Sequence, residues 1–172
     1  TSITSTWNGG LGFDPIGDLS VNFIGNLNGN NYTISNLYIN RTSENFIGLF
    51  GFCIGSNINN IRILNANISG ASFVGGVVGR ISNAIINNVH IIGKINGIGN
   101  NIGGFVGNIY SGGITYINNS YSKCNVTTLS YIAGGFIGNS NYPTQFNNCY
   151  ATGDIISKGG LGYTGGFAGS LN

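Results

Sequence analysis

Apolar and polar residues alternate with a period of two in five short segments of the chain, and this pattern predicts β-strands. Isoleucine occupies most of the apolar positions, and stretches rich in glycine and asparagine separate the segments. Because glycine is frequent throughout and good helix formers are scarce, we expect no substantial helix. The five segments are residues 34–39, 58–63, 86–91, 117–122 and 146–151.

A glycine-rich phrase follows each segment and gives the chain its period. In most phrases an aromatic or aliphatic residue stands between glycines, as in Ala133-Gly-Gly-Phe-Ile-Gly138. The closing glycines lie at positions 51, 79, 107, 138 and 169, so successive units are 28, 28, 31 and 31 residues long. Repeats of this length are typical of stacked-coil proteins. The sequence therefore predicts an all-β protein, a parallel β-helix (β-solenoid) of about five coils of 28–31 residues.

Alignment of the five segments places one asparagine of each in a single column. An asparagine amide both donates and accepts hydrogen bonds, so amides stacked in neighbouring coils satisfy one another. We therefore predict a structural ladder formed by Asn36, Asn60, Asn88, Asn119 and Asn148.

The same alignment places His90, Tyr121 and Tyr150 in one outward-facing column beside many asparagines. Sugars bind to flat aromatic strips through ring stacking and to amides through paired hydrogen bonds. These three residues are therefore the candidate ligand-binding face, and surface carbohydrate is the candidate ligand. The alternative is that tyrosine simply favours exposed strand positions.

The glycine phrases resemble the GLUG repeat, of which Ile47-Gly-Leu-Phe-Gly51 is a close copy. The stretch that contains Trp7 and Phe23-Ile-Gly-Asn-Leu-Asn-Gly29 also resembles the lead-in that precedes such repeats. The resemblance implies a large secreted or cell-surface bacterial protein of the adhesin type, located outside the cell, and implies no chemistry. It divides the chain into a lead-in or cap, residues 1–30, and one continuous repeat domain, residues 31–172.

Few residues are charged, and this narrows the choice of partners. Charged residues make up 6% of the chain and the net charge is +2, whereas about 25% is usual in soluble domains. The six basic residues are spread along the chain rather than clustered, so nucleic acid is not a predicted partner. Because no apolar run approaches about 20 residues, no membrane span is predicted.

The acidic residues are too few and too dispersed to predict catalysis. Hydrolases and lyases built on β-helices need paired carboxylates, or carboxylates that hold Ca²⁺ beside a basic residue. The single histidine, His90, has no carboxylate predicted beside it. We therefore expect no enzymatic activity, cofactor or metal. One alternative stays open, a cation held at the N-terminal end by Asp14, Asp18 and Glu44.

The three cysteines, Cys53, Cys124 and Cys149, are predicted to be free thiols buried as small apolar side chains. The aligned positions of Cys124 and Cys149 differ by four strand residues, which is about 13 Å and too far for a disulfide. The alternative is an intermolecular disulfide through Cys53, which the pattern places in a turn.

Five Asn-x-Ser/Thr sequences are candidate N-glycosylation sites if the protein is secreted by a cell that glycosylates its exports. A chain so rich in asparagine, serine and threonine contains about this number by chance, so the count alone does not predict modification. The five acceptors are Asn31, Asn40, Asn67, Asn118 and Asn125.

These patterns together predict an extracellular structural protein. The ends of a solenoid expose unpaired backbone groups and apolar core, and no capping helix or charged tail follows the last glycine phrase. We therefore expect the chain to stack head-to-tail on itself as a fibre or filament protomer, or to form a stalk segment of a surface protein. The alternative is a carbohydrate-binding segment of an adhesin.

Overall fold

Parallel β-strands make up most of the regular structure in the computed structural model, which describes residues 4–110, 112–160 and 162–171. A short 3-10 helical segment, Thr4–Gly10, precedes the strands. The predicted fold class is confirmed, because the strands form a β-solenoid of about five coils. The strands are β1 (Asn26–Asn28), β2 (Thr33–Ser35), β3 (Tyr38–Arg41), β4 (Phe50–Ile54), β5 (Asn57–Gly70), β6 (Val74–Gly75), β7 (Val78–Ser82), β8 (Ile85–Gly97), β9 (Ile102–Gly103), β10 (Val106–Ile109), β11 (Thr115–Asn118), β12 (Tyr121–Thr128), β13 (Ile132–Gly134), β14 (Ile137–Ser140), β15 (Thr144–Asn147), β16 (Tyr150–Thr152), β17 (Ile155–Ser157), β18 (Tyr163–Gly165) and β19 (Ala168–Leu171).

Three parallel sheets run along the solenoid. The first sheet contains β1, β2, β3, β5, β8, β11, β12, β15, β16 and β17; the second contains β4, β7, β10, β14 and β19; the third contains β6, β9, β13 and β18. Residues one coil apart pair directly, as Ile58 does with Ile86 and Val78 with Val106. The strand pairing therefore follows the period of the sequence.

Columns of apolar side chains fill the interior. Ile63 and Ile91 are paired in the first sheet and are both fully buried. Phe105, Phe136 and Phe167 form another column, with ring centroids 4.4 and 4.9 Å apart. Burying one such side chain contributes about 1.5–3 kcal/mol. Each side chain of a column is buried by the side chains of the coils before and after it. A coil is therefore stabilised by its neighbours and not by contacts within itself.

A column of glycines explains the Gly-Gly pairs. A Cβ added at Gly76 would lie 2.6 Å from the carbonyl oxygen of Gly104, and one added at Gly104 or Gly135 would also overlap a carbonyl oxygen of the next coil. At Gly166, in the last coil, a Cβ would meet nothing within 4 Å. In the first three pairs the second glycine is therefore needed for close stacking of coils, and not for a positive φ angle.

The asparagine ladder is present along most of the predicted column. Asn88 donates to the side-chain oxygen of Asn60 at 2.7 Å, and Asn148 donates to that of Asn119 at 3.0 Å. Asn119 donates to Asn87, the residue before the predicted partner, at 2.9 Å. The ladder thus runs through the coils but shifts by one residue at that step.

Asn36 lies outside this ladder, so the predicted alignment of the first coil is wrong. Strand pairing places Asn36 next to Asn65 instead. Between β1 and β2 the first coil contains two more residues than the second coil does between the residues that pair with them. The segment around Asn36 is therefore displaced relative to the similar segment around Asn60. Asn31 takes the predicted place and accepts a hydrogen bond from Asn88 at 3.1 Å.

The lead-in crosses the N-terminal edge of the solenoid. Ile16 pairs in parallel with Phe50 and Phe23 with Cys53, both in β4, and β1 pairs with β5. At the other end, β16, β17, β18 and β19 each pair on one side only within the described residues. At the N-terminal edge β1 and β2 also pair on one side only, so the two edges differ where the lead-in bridges to β3 and β4. The predicted division at residue 30 stays a prediction, although isolated parallel pairing already begins at Ile16 and the first paired strand at Asn26.

Two of the three cysteines are buried free thiols, as predicted. Cys53 and Cys124 are fully buried, and burial raises the pKa of Cys53 to about 12 and that of Cys124 to about 11. The placement of Cys53 in a turn is wrong, because it lies inside β4. Such a thiol is neither ionised nor accessible at neutral pH, which argues against an intermolecular disulfide through Cys53. Cys149 is only partly buried.

Candidate functional site

The predicted outward column exists on the first sheet. Strand pairing puts Arg62, His90, Tyr121 and Tyr150 in one row across four coils. The ring centroid of Tyr121 lies 4.2 Å from that of His90 and 5.0 Å from that of Tyr150, and the ring planes are within 12° and 19° of parallel. The rings therefore cover one another's faces and present mainly their edges to solvent. The column does not form the flat strip that the sequence predicted.

His90 is held in place by a backbone carbonyl. Its Nε2 lies 3.3 Å from the carbonyl oxygen of Asn119. Partial burial lowers the pKa of His90, the Asn119 carbonyl opposes this shift, and the positive charge of Arg62 adds to it. The imidazole is therefore held in its neutral form more firmly than a free histidine, and its neighbours are a cation and aromatic rings rather than a carboxylate.

A groove of about 440 Å³ runs beside this column, and the sequence did not predict it. It forms where β5 carries one more residue than β8: Ile63 pairs with Ile91, but the next pair is Ala66 with Gly93. This irregularity is a β-bulge, which bends a strand and redirects its side chains. The unit lengths carry no signal of it, because both units are 28 residues long and the turn after β8 contains the compensating residue. The groove is lined by Asn65, Ala66, Asn67, Ile92, Gly93, Lys94, Lys123 and Asn125.

Two lysines give the groove its charge. Lys94 pairs with Asn67 on one side and with Asn125 on the other, so the three side chains form one row. The ammonium group of Lys123 lies 5.1 Å from the centre of the Tyr121 ring. Neither lysine forms an ion pair with a carboxylate within the described residues. The groove therefore carries uncompensated positive charge.

The candidate glycosylation sites differ in exposure and stay predictions. Asn31, Asn40, Asn67 and Asn125 are exposed, whereas Asn118 is partly buried. Its sequon partner Ser120 is 1% exposed, and the Ser120 hydroxyl donates to the Asn118 carbonyl oxygen at 2.7 Å. Of the five sites, Asn118 is thus the least open to modification.

The acidic residues at the N-terminal end surround an arginine. Asp14 and Glu44 both contact the Arg41 guanidinium at 3.1 Å, and Arg41 is 8% exposed. Asp18 lines the same small cleft of about 150 Å³ but accepts hydrogen bonds from backbone amides of its own loop. No group of acidic, histidine or cysteine side chains in the described ranges is arranged to hold a metal ion. The carboxylates of that open alternative therefore bind Arg41 and the backbone of the lead-in instead.

No family model matches the chain, so the GLUG resemblance stays a prediction. Halomucin of Haloquadratum walsbyi is 38% identical over 167 residues, which is 81% of this chain and 2% of that protein. A "putative Gly-rich membrane protein" of Evansella cellulosilytica is 39% identical over 87 residues, 48% of this chain and 10% of that protein. The chain thus spans only a small part of either relative.

A solved structure shares weaker similarity. It is that of "a putative immunoglobulin A1 protease" from Bacteroides ovatus, with a TM-score of 0.41 and 16% sequence identity over 77% of this chain and 62% of that chain. Within the described ranges, no helix is long and apolar enough to cross a membrane.

Proposed function

We propose that the chain is a structural segment of an extracellular or cell-surface protein, a β-solenoid that is extended by strand pairing at its C-terminal edge. The observation that carries the proposal is the unpaired outer side of the C-terminal edge: β16, β17, β18 and β19 pair on one side only within the described residues, whereas the lead-in bridges to β3 and β4 at the N-terminal edge. Both relatives are far longer than this chain, which favours a segment of a large protein. The name of the Evansella relative favours a place at the cell envelope.

The backbone of the C-terminal edge supports further pairing. Directly after β17 the Lys158 amide donates to the carbonyl oxygen of Thr128, and directly before β17 the carbonyl oxygen of Asp154 accepts from the Val126 amide. Because backbone groups alternate in direction along a parallel strand, those of Ile155 and Ser157 point away from the solenoid. Such a row of unpaired groups is a template for another strand.

Exposed apolar side chains lie at both ends. Among the described residues, the large apolar or tyrosine side chains more than 60% exposed are Leu19, Val21, Ile24, Tyr32 and Tyr163. The first four lie in or next to the lead-in and the fifth lies in the last coil. In head-to-tail stacking, the C-terminal edge of one copy would therefore contact the outer side of the next copy's lead-in. The proposal assigns no catalytic step to the chain.

The test compares association of the wild type with that of two variants at one edge position. Ser157→Pro removes the outward amide, whereas Ser157→Ala keeps it; both lose the hydrogen bond from the Ser157 hydroxyl to Ser130. We expect sedimentation velocity to show association that increases with concentration, and negative-stain microscopy to show filaments, for the wild type and Ser157→Ala. Ser157→Pro should associate much less.

Two results would overturn self-stacking. Single short rods of the wild type at every concentration would show that the edge does not recruit another copy. Equal association of the proline and alanine variants would show that the contact does not use the β17 edge. Circular dichroism of each variant confirms that the fold is retained.

Carbohydrate binding is a second candidate function, and the observation that favours it is the groove. The stacked faces of His90, Tyr121 and Tyr150 are poorly placed to contact a sugar ring. The neighbouring groove offers amide and ammonium groups instead. In this form the chain is a carbohydrate-binding segment of an adhesin, and binding of any polysaccharide to the wild type is the direct test.

A further inference from the structure

We infer that the groove beside the aromatic column binds an acidic saccharide, a sugar chain that carries carboxylate or sulfate groups. This inference rests on the second function proposed above and names its ligand class. The groove is formed by the bulge in β5 and extends over β5, β8 and β12. A ligand in it would therefore contact three successive coils.

Most polar side chains of the groove form no hydrogen bond with the rest of the described protein. Asn65, Asn67, Lys94 and Lys123 form no side-chain hydrogen bond with other described residues, and all four are exposed. In Asn125 the side-chain oxygen accepts from the Asp154 amide at 3.1 Å, which leaves its amide nitrogen free to donate. The ladder asparagines, by contrast, bond to one another. The groove therefore contains several amide and ammonium groups that form no hydrogen bond within the fold and are free to bind a ligand.

The charge of the groove selects an anion. Lys94 and Lys123 project from adjacent coils, and Arg62 stands in the neighbouring row. One carboxylate, Asp154, lies close by, at the end of the row that contains Lys94. The other acidic residues lie in or next to the lead-in. Positive charge therefore exceeds negative charge around the groove, and electrostatic attraction favours an acidic ligand.

The floor of the groove is small and apolar. Ala66 and Gly93 lie opposite each other there, and Ile92 forms part of the wall. A Cβ on Gly93 would overlap the backbone oxygen of Ala66, so the close approach of the two strands at the bulge requires glycine. Such a surface suits the C–H face of a sugar ring, while the surrounding amides suit its hydroxyl groups.

A saccharide fits these observations better than a nucleic acid does. Single-stranded nucleic acids bind through bases stacked on the faces of aromatic rings, and the faces of Tyr121 and Tyr150 are turned towards each other. Three asparagine amides and two ammonium groups offer many donors over a short distance. This set matches a ligand with several hydroxyl groups and an occasional negative charge.

The test measures binding of the full 172-residue chain to three polymers by isothermal titration calorimetry at low salt. The polymers are polygalacturonate, neutral dextran and an oligothymidylate. The variants are Lys94→Gln, Lys123→Gln and Asn67→Ala, with Lys158→Gln as the matched control because Lys158 is an exposed lysine outside the groove. Urea denaturation of each variant confirms that it is folded.

The expected result is binding of polygalacturonate that weakens about tenfold in Lys94→Gln and in Lys123→Gln, weakens in Asn67→Ala, and is unchanged in Lys158→Gln. Dextran that binds as tightly as polygalacturonate would overturn the acidic ligand but leave carbohydrate binding standing. Oligothymidylate that binds equally well, with the same dependence on the lysines and none on Asn67, would show a general polyanion surface and overturn the saccharide. No binding of any polymer would overturn both the inference and the second function.

Discussion

At the scale of single residues, asparagine serves this fold because it combines an unusual backbone conformation with a bonding side chain. Asn60, Asn88, Asn119 and Asn148 all have positive φ angles, between 49° and 58°. Asparagine tolerates this left-handed region better than other residues with a Cβ. Each corner of the coil can therefore turn tightly while the amide reaches the next coil. The abundance of asparagine is explained by these two roles together.

Phenylalanine at two positions adopts the same unusual conformation. Phe46 and Phe73 have φ angles of 62° and 57°, and their rings stack with centroids 5.0 Å apart. The guanidinium of Arg80 lies over both rings, at 5.7 and 5.3 Å from their centres. A bulky residue in this region is strained. Stacking and cation–π contacts offset that strain here.

Protonation of His90 is expected to destabilise the folded protein. Burial lowers its pKa in the native state, so as the pH falls the unfolded chain binds a proton first. The contribution of His90 to stability is therefore constant above about pH 6.5 and declines as the pH falls from there towards the lowered native pKa. Urea midpoints measured between about pH 7.5 and 5.5 should decline more steeply for the wild type than for His90→Gln. Equal slopes would contradict the prediction.

At the scale of elements, the glycine phrases act as spacers between coils. The carbonyl oxygen of one phrase lies where the side chain of the preceding phrase would be, as between Gly76 and Gly104. The phrase therefore repeats because coil stacking repeats. No phosphate-binding or catalytic role is needed to account for it.

A methyl group in this column should have an effect that depends on the coil. Gly104→Ala is expected to lower the free energy of unfolding by about 1–3 kcal/mol or more, since the new Cβ overlaps the Gly135 carbonyl oxygen. Gly166→Ala is the matched control, because its Cβ would meet nothing within 4 Å. Urea denaturation of both variants measures the difference. Similar losses would show that glycine is needed for its backbone freedom and not for space.

The elements that sequence alone could predict are those whose pattern is local and repeated. The strands and the glycine phrases met both conditions, and so did the row of His90, Tyr121 and Tyr150. The position of Asn36 was predicted wrongly because the sequence of its segment is similar to that of the repeats. Its strand pairing is instead set by the two additional residues between β1 and β2. A similar pattern of residues does not determine register when the connecting turns vary in length.

The candidate site was harder to predict because it depends on irregularity. The groove arises from one additional residue between Ile63 and Ala66, and alignment on the repeats cannot reveal it, because the turn after β8 contains a compensating residue and both units are 28 residues long. The orientation of the aromatic rings also could not be predicted from the sequence. Column membership follows from register, but whether faces or edges meet the solvent follows from side-chain torsions and contacts between coils.

At the scale of the whole molecule, stability depends on neighbouring coils, so a complete coil should be removable. Deletion of residues 86–116 joins Ile85 to Ile117, which pairs with Ile86 in the native sheet. The second coil would then pair with the fourth in the same register. We expect this variant to fold with a β-sheet circular dichroism spectrum and a lower urea midpoint, because one interface between coils is lost.

Deletion of residues 86–101 is the control, because it removes about half a coil and leaves the remaining strands without partners in register. We expect this chain to lose its cooperative unfolding transition. If both deletions unfold the protein, or if both leave it folded, the coils do not act as interchangeable units.

The hydrogen bonds between side-chain amides of the asparagine ladder all run in one direction along the solenoid axis. Among the described residues, Asn60 donates to Asn28, Asn88 to Asn60 and Asn148 to Asn119, and in a neighbouring row Asn57 donates to Asn26 in the same direction. Each donor lies one coil after its acceptor, so the amide dipoles align along the axis and polarise one another. The side-chain oxygen of Asn148 accepts no side-chain hydrogen bond from a later residue of the described ranges. A fibre extended at this edge would therefore be polar, with chemically distinct ends, a preferred direction of growth and a fixed orientation relative to any surface that anchors it.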